Sequence, residues 1–180
     1  MKKLVFLTVC LVAFVTNGFA QKKLSGEKGI SSVGVIIGHA VDSKALTVGA
    51  DYRYNIQDKI RLAPSALYVT KNDYMSSLYI NTDAHYLARV TNEVTIYPIG
   101  GLGFSARRFE DFLDLDEIDD PRDIFDTKTE TKIRVGLNLG FGGEIRASKD
   151  IIIGAEFRYN LTTERFYDQA MLLARMAYYF

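Results

Sequence analysis

The sequence predicts an all-β fold, an eight-stranded antiparallel up-and-down transmembrane β-barrel. Three observations carry that prediction: a period-two alternation that recurs along the chain, no apolar run of helix-spanning length after the first twenty residues, and connections that are tight at one end and mostly longer at the other.

Alternation is clearest in four stretches. Leu46, Val48, Ala50, Tyr52 and Tyr54 share one face, while Thr47, Gly49, Asp51, Arg53 and Asn55 share the other. Side chains that repeat every second residue belong to a strand. The same division sets Leu78, Ile80, Thr82, Ala84 and Tyr86 against Asn81, Asp83, His85 and Arg89. It also sets Ile133, Val135, Leu137, Leu139 and Phe141 against Arg134, Asn138 and the glycines between them, and Ile153, Ala155, Phe157 and Tyr159 against Glu156 and Arg158. Read through the chain, the pattern gives strands at 30–39, 44–55, 59–70, 77–90, 93–107, 129–147, 150–161 and 167–180, each about long enough to cross a bilayer when tilted.

The connections at 56–58, 91–92 and 148–149 are tight. Those at 71–76, 108–128 and 162–166 are longer, 41–43 being the short exception, and all four lie at the end opposite the termini. Short turns beside the termini and longer loops at the far end fit a barrel whose termini are periplasmic.

The chain opens with Lys2 and Lys3, an apolar run over 4–15, and the small residues Gly18 and Ala20. This is a secretory signal pattern, too short to span a membrane as a helix. Cleavage after Ala20 is expected, so 1–20 is a cleaved signal peptide and 21–180 one barrel domain of 160 residues. The one cysteine, Cys10, leaves with the signal and takes thiol chemistry with it. The remaining 20 basic and 22 acidic side chains contain no basic cluster, so nucleic acid is not an expected partner.

Alternation alone does not say which face is outside. A soluble, lipid-carrying eight-strand barrel would turn the apolar face inward. Two features favour lipid outside. Aromatic residues of the apolar face, Tyr54, Tyr68, Phe104, Tyr159 and Tyr178, are expected near strand ends, where an interfacial girdle sits. The opposite face mixes glycine with both signs of charge, which suits a narrow lumen where opposed charges pair. Asp51, Arg53, Asp83, His85, Arg89, Arg134, Glu144, Glu156, Arg158 and Arg175 are therefore the expected lumen polar network. Eight strands leave room inside for little except those side chains.

A third feature is the C-terminus, Leu172-Leu173-Ala174-Arg175-Met176-Ala177-Tyr178-Tyr179-Phe180, which alternates to a terminal phenylalanine. Here the chain resembles bacterial outer-membrane β-barrels, whose last strand commonly ends in an aromatic residue recognised by the barrel-insertion machinery. Tyr97-Pro98-Ile99-Gly100-Gly101-Leu102-Gly103-Phe104 is similar to the glycine-rich mid-barrel strand of small porin-family domains. The resemblance implies a place in the bacterial outer membrane among its lipids and lipopolysaccharide. It also implies assembly by the insertion machinery and periplasmic chaperones, with Tyr178 and Phe180 as the insertion signal.

The candidate chemistry has a structural reading in each case. Gly100-Gly101-Leu102-Gly103 and Gly140-Phe141-Gly142-Gly143 lie within strands, whereas a phosphate loop opens a helix. Glycines there permit bending and close approach. The segment 109–128 holds nine acidic residues, and Asp114, Asp116 and Asp119 offer alternating oxygens of the kind calcium takes, without EF-hand spacing. Phe112 and Phe125 stand among these carboxylates, making this loop the expected recognition surface for an extracellular ligand. Some eight-strand outer-membrane barrels are lipid-A acyltransferases or deacylases that use a histidine with a serine and a carboxylate. Neither His39 nor His85 has the nearby serine of the deacylase motif, and the two lack metal-ligand spacing. No cofactor, metal or catalytic residue is expected.

The leading function class is a structural or surface-interaction barrel acting through its loops. The alternatives are a narrow channel or small-ligand transport barrel, a lipid-A-modifying enzyme at His39 or His85, and a soluble lipid-carrying barrel with the faces reversed.

Overall fold

The computed structural model describes residues 28–72, 75–110, 129–163 and 168–180. They form β1 (Ser31–Ala40), β2 (Ala45–Gln57), β3 (Ile60–Asn72), β4 (Met75–Tyr86), β5 (Ala88–Arg89), β6 (Val94–Glu110), β7 (Thr129–Arg146), β8 (Ile151–Thr162) and β9 (Gln169–Tyr179). All neighbours are antiparallel, in the order β4-β3-β2-β1-β9-β8-β7-β6-β5, and β4 also pairs with β6, which closes the sheet on itself. Because β4 and β5 are one strand interrupted at Leu87, the wall has eight strands. Closure satisfies the strand edges that lipid cannot. The start of β1 meets the C-terminus: Ser31 N–H donates to Phe180 O at 3.0 Å and Phe180 N–H to Ser31 O at 2.9 Å.

The apolar face is outside. Val35 is 61% and Phe141 65% exposed, while Arg53 and Asp83 on the opposite face are 1% and 0% exposed. That orientation removes the soluble-carrier alternative, in which these faces are exchanged. Tyr54, Tyr178 and Phe180 gather at the terminal end, the last two with rings 6.3 Å apart, and Tyr68 and Tyr159 lie toward the loop end. Phe104 departs from expectation. It sits in mid-strand, paired with Ile80 and Val135, because β6 continues to Glu110 and draws what looked like a strand end into the wall.

Two outward-facing prolines interrupt the ladders. An antiparallel residue gives its N–H to one neighbour only, and proline has none to give. On β3 the pairing with β2 jumps from Asp51↔Ser65 to Tyr54↔Leu62, leaving out two register positions, Tyr52 opposite Pro64 and Arg53 opposite Ala63. On β6 the pairing with β4 ends at His85↔Ile99 and resumes at Ala88↔Ile96, leaving out Tyr86 opposite Pro98 and Leu87 opposite Tyr97. That second gap is the break between β4 and β5. Leu87 N–H continues the β3–β4 ladder, donating to Lys59 O at 2.8 Å.

The interior is not wholly polar. Toward the loop end, Ile36, Leu67, Val69, Tyr79, Met171 and Leu173 pack as an apolar inner layer, where buried Arg107 donates to the Tyr79 hydroxyl at 3.0 Å, and the interlocked acid–base pairs occupy the middle and the terminal half.

Candidate functional site

The lumen is where the structure concentrates its chemistry. Six strands deliver it: Asp51 and Arg53 from β2, Arg61 from β3, Asp83 from β4, Glu144 from β7, Glu156 and Arg158 from β8, and Arg175 from β9. Alternation puts each of them on the inner face, and the narrow cross-section brings strands from opposite walls within side-chain reach.

Four guanidinium groups meet four carboxylates. Arg53 is the hub, with Nε donating to Asp51 Oδ2 at 2.7 Å, Nη1 to the Tyr97 hydroxyl at 2.9 Å, and Nη2 to Glu156 Oε1. Arg61 grips Glu144 with two prongs, at 2.8 and 2.7 Å, and its Nε donates to Asn55 Oδ1 at 2.8 Å. Arg158 spans Glu156 Oε2 and Asp83 Oδ2, at 2.7 and 3.0 Å. Arg175 Nε donates to Asp51 at 2.7 Å. Ions removed from water need this density of partners, because an unpaired buried charge is strongly destabilising.

Neutral groups complete the network. The Tyr97 hydroxyl accepts from Arg53 and donates to Glu156 Oε1 at 2.8 Å. Its ring occupies the space of a missing side chain, since a Cβ on Gly142 would lie 2.7 Å from it. Above the charges runs a carboxamide ladder: Asn160 Nδ2 donates to Asn138 Oδ1 at 2.7 Å, and Asn138 Nδ2 to Asp83 Oδ1 at 2.8 Å. His85 stacks on Tyr97, ring centroids 4.7 Å apart, and neither ring nitrogen has a hydrogen-bond partner among the described residues.

Of the ten lumen candidates, the structure brings together Asp51, Arg53, Asp83, Glu144, Glu156, Arg158 and Arg175, with His85 against them. Arg89 is not among them. It pairs with Thr95 in the last turn of wall at the terminal end and is exposed, since the lumen opens there. Arg134 is also outside the cluster, half-buried near the loop end with Nη1 on Ile133 O at 3.0 Å. His39 is exposed on the outer face, in register with Leu46 and Leu172. Phe112, Asp114, Asp116, Asp119 and Phe125, together with the expected signal peptide, lie outside the described residues. Among the described residues, no group of three His, Cys, Asp or Glu side chains is arranged to hold a metal ion.

Tyr97 and Asn160 are functional members the sequence reading missed. In β6, Ile96 and Ile99 are apolar on both faces, so the pattern hides the inner side of the strand. Counting back by twos from the inward Arg107, Ser105, Gly103 and Gly101 reaches Tyr97, and that parity was the available signal.

A closed eight-strand wall, lipid-facing outside and ion-paired inside, has known counterparts. The sequence matches the family described as "Outer membrane protein beta-barrel domain" over residues 4–180. The chain belongs to that family. This places it in the bacterial outer membrane. No match was found among curated protein sequences. The fold is similar to the N-terminal β-barrel domain of OprF from Pseudomonas aeruginosa, with 15% identity and TM-score 0.61, covering 87% of this chain and 100% of that one. It is also similar to Ail, the attachment invasion locus protein of Yersinia pestis, with 16% identity and TM-score 0.57, covering 85% and 99%. Ail has also been solved in complex with the heparin analogue sucrose octasulfate. Neisserial surface protein A is a third likeness, with 13% identity and TM-score 0.50, covering 83% and 92%. At these identities the likeness is one of fold.

Proposed function

We propose that the chain, once residues 1–20 are removed, is an integral outer-membrane barrel with a structural or surface-interaction role exerted through its extracellular loops. The termini and short turns face the periplasm in this reading, and the 109–128 segment faces outward. The observation that carries it is the ion-paired lumen. With four guanidinium groups interlocked with four carboxylates across the bore, the interior is a packed core, which leaves the loops as the variable part of the protein. No catalysis is part of this reading. His85 is buried within the packed lumen and His39 lies on the outer face, so neither presents an imidazole beside a serine and a carboxylate at an open site.

The loop's composition narrows the ligand. Nine acidic residues in 109–128 repel a polyanion of the kind bound to Ail in its complex with sucrose octasulfate. A cationic partner, or lipopolysaccharide headgroups bridged by divalent ions, fits the charge.

The test has two arms. Single-channel recording in planar bilayers should show no discrete conductance, and heat-modifiable gel migration should mark a folded barrel in the outer-membrane fraction. Replacing 109–128 by a short turn should then abolish surface binding while leaving the gel shift intact. Discrete conductance, or binding unchanged by the trimmed loop, would overturn the proposal in favour of a narrow channel.

A further inference from the structure

We infer that the terminal-end corner of β3 and β4 is a hinged panel in the barrel wall, latched shut from inside by the lumen network. The panel comprises residues 60–64 and 82–89. On one flank the ladder to β2 is interrupted where Pro64 stands opposite Tyr52, and on the other the ladder to β6 is interrupted where Pro98 stands opposite Tyr86. Below the first break only Tyr54↔Leu62, Asn55↔Arg61 and Gln57↔Ile60 remain, with a register shift between Asn55 and Gln57. Below the second, Ala88↔Ile96 and Arg89↔Thr95 remain, with Val90 N–H donating to Val94 O at 2.9 Å at the turn.

The rest of the wall is different. The ladders β1–β2, β1–β9, β6–β7, β7–β8 and β8–β9 run without a gap over their paired lengths. In hydrocarbon, water cannot replace a missing backbone bond, so the interrupted flanks are where the wall opens most easily.

What holds the panel lies across the bore. Its two inward charges have opposite sign, and each is gripped by strands beyond the panel's β6 flank: Arg61 by Glu144 of β7 at 2.7 and 2.8 Å, and Asp83 by Arg158 of β8 at 3.0 Å and Asn138 of β7 at 2.8 Å. Between them, His85 rests on the Tyr97 ring with Leu87 and Ile99 at its side. Side-chain contacts thus replace backbone ones at this corner, and parting them would breach the lumen at its terminal end.

Native-state amide exchange read by mass spectrometry, on the full barrel in phospholipid nanodiscs, tests the panel directly. Peptides covering 60–64 and 82–89 should exchange about tenfold faster than those of β8 and β9. Glu144→Gln should accelerate the panel further while leaving β8 and β9 unchanged. The pair Pro64→Val and Pro98→Val, which restores both donors, should slow it to the rate of its neighbours. Uniform protection round the wall, or a Glu144→Gln effect spread evenly over all strands, would overturn the inference. If the valine pair does not fold, the wild-type and Glu144→Gln profiles still decide.

Discussion

Arg61 and Glu144 come from strands with two others between them in the wall and meet across the bore in a two-pronged pair, Nη1 to Oε2 at 2.8 Å and Nη2 to Oε1 at 2.7 Å. Both are nearly inaccessible to water, and Glu144 also faces Arg53 at 3.4 Å, so it is the removal of Glu144 that strands Arg61 without an opposite charge. Glu144→Ala should therefore cost about 3–5 kcal/mol of barrel stability. Replacing both residues by leucine should cost less than the single change, since no lone charge is left. Urea unfolding in lipid vesicles, followed by the difference in gel mobility between boiled and unboiled samples, measures both. A double variant less stable than Glu144→Ala would show that the pair itself, not the avoidance of a lone charge, holds the wall.

Gly100 and Gly101 are adjacent in β6 and point to opposite sides of the wall. A Cβ on Gly101 would lie 2.3 Å from Asp83 Oδ1 and 2.5 Å from Thr82 O, whereas one on Gly100 meets nothing within 4 Å. Gly101→Ala should destabilise by about 1–3 kcal/mol or block folding, and Gly100→Ala should change stability by less than about 0.5 kcal/mol. The same unfolding measurement on the two variants compares them within one strand, and equal losses would mean that the inner face has slack.

Much of this was legible in the sequence, for a physical reason. A strand's side chains alternate whatever surrounds it, so Leu46 to Asn55 announces both its conformation and its two faces. What alternation cannot show is reach across the bore. Nothing local to Arg53 says that it meets Glu156 and Tyr97, more than forty residues away in sequence, and nothing near Arg89 says that the lumen has already opened at its level. Tyr97 was hidden because its strand is apolar on both faces. The prolines were visible, but which neighbour each deprives of a donor depends on register, which sequence alone leaves open.

The outer face carries its own test, because lipid penalises charge by depth. Leu137 is 55% exposed in mid-strand, paired with Leu102 and Leu161, while Val90 is exposed beside the turn at the terminal end. Leu137→Arg should cost about 2–4 kcal/mol and Val90→Arg no more than about 1 kcal/mol. Equal costs at the two positions would place the hydrocarbon band elsewhere along the barrel.

Tyr97 isolates a single hydroxyl within the network. Its oxygen accepts from Arg53 at 2.9 Å and donates to Glu156 at 2.8 Å, while the ring separately stacks on His85 and fills the space Gly142 leaves. Tyr97→Phe keeps ring and packing and removes only the bridge, leaving a guanidinium and a carboxylate each short of one partner in a place water does not reach. The expected loss is about 1–3 kcal/mol. Tyr178→Phe, on the lipid face and 55% exposed, is the matched control and should shift stability by less than about 0.5 kcal/mol. The difference between the two unfolding midpoints reports what a buried hydroxyl contributes when it ties together an ion pair. Should Tyr97→Phe prove as mild as the control, the Arg53 and Glu156 contact closes the gap unaided, and the hydroxyl is a passenger on a ring retained for its volume.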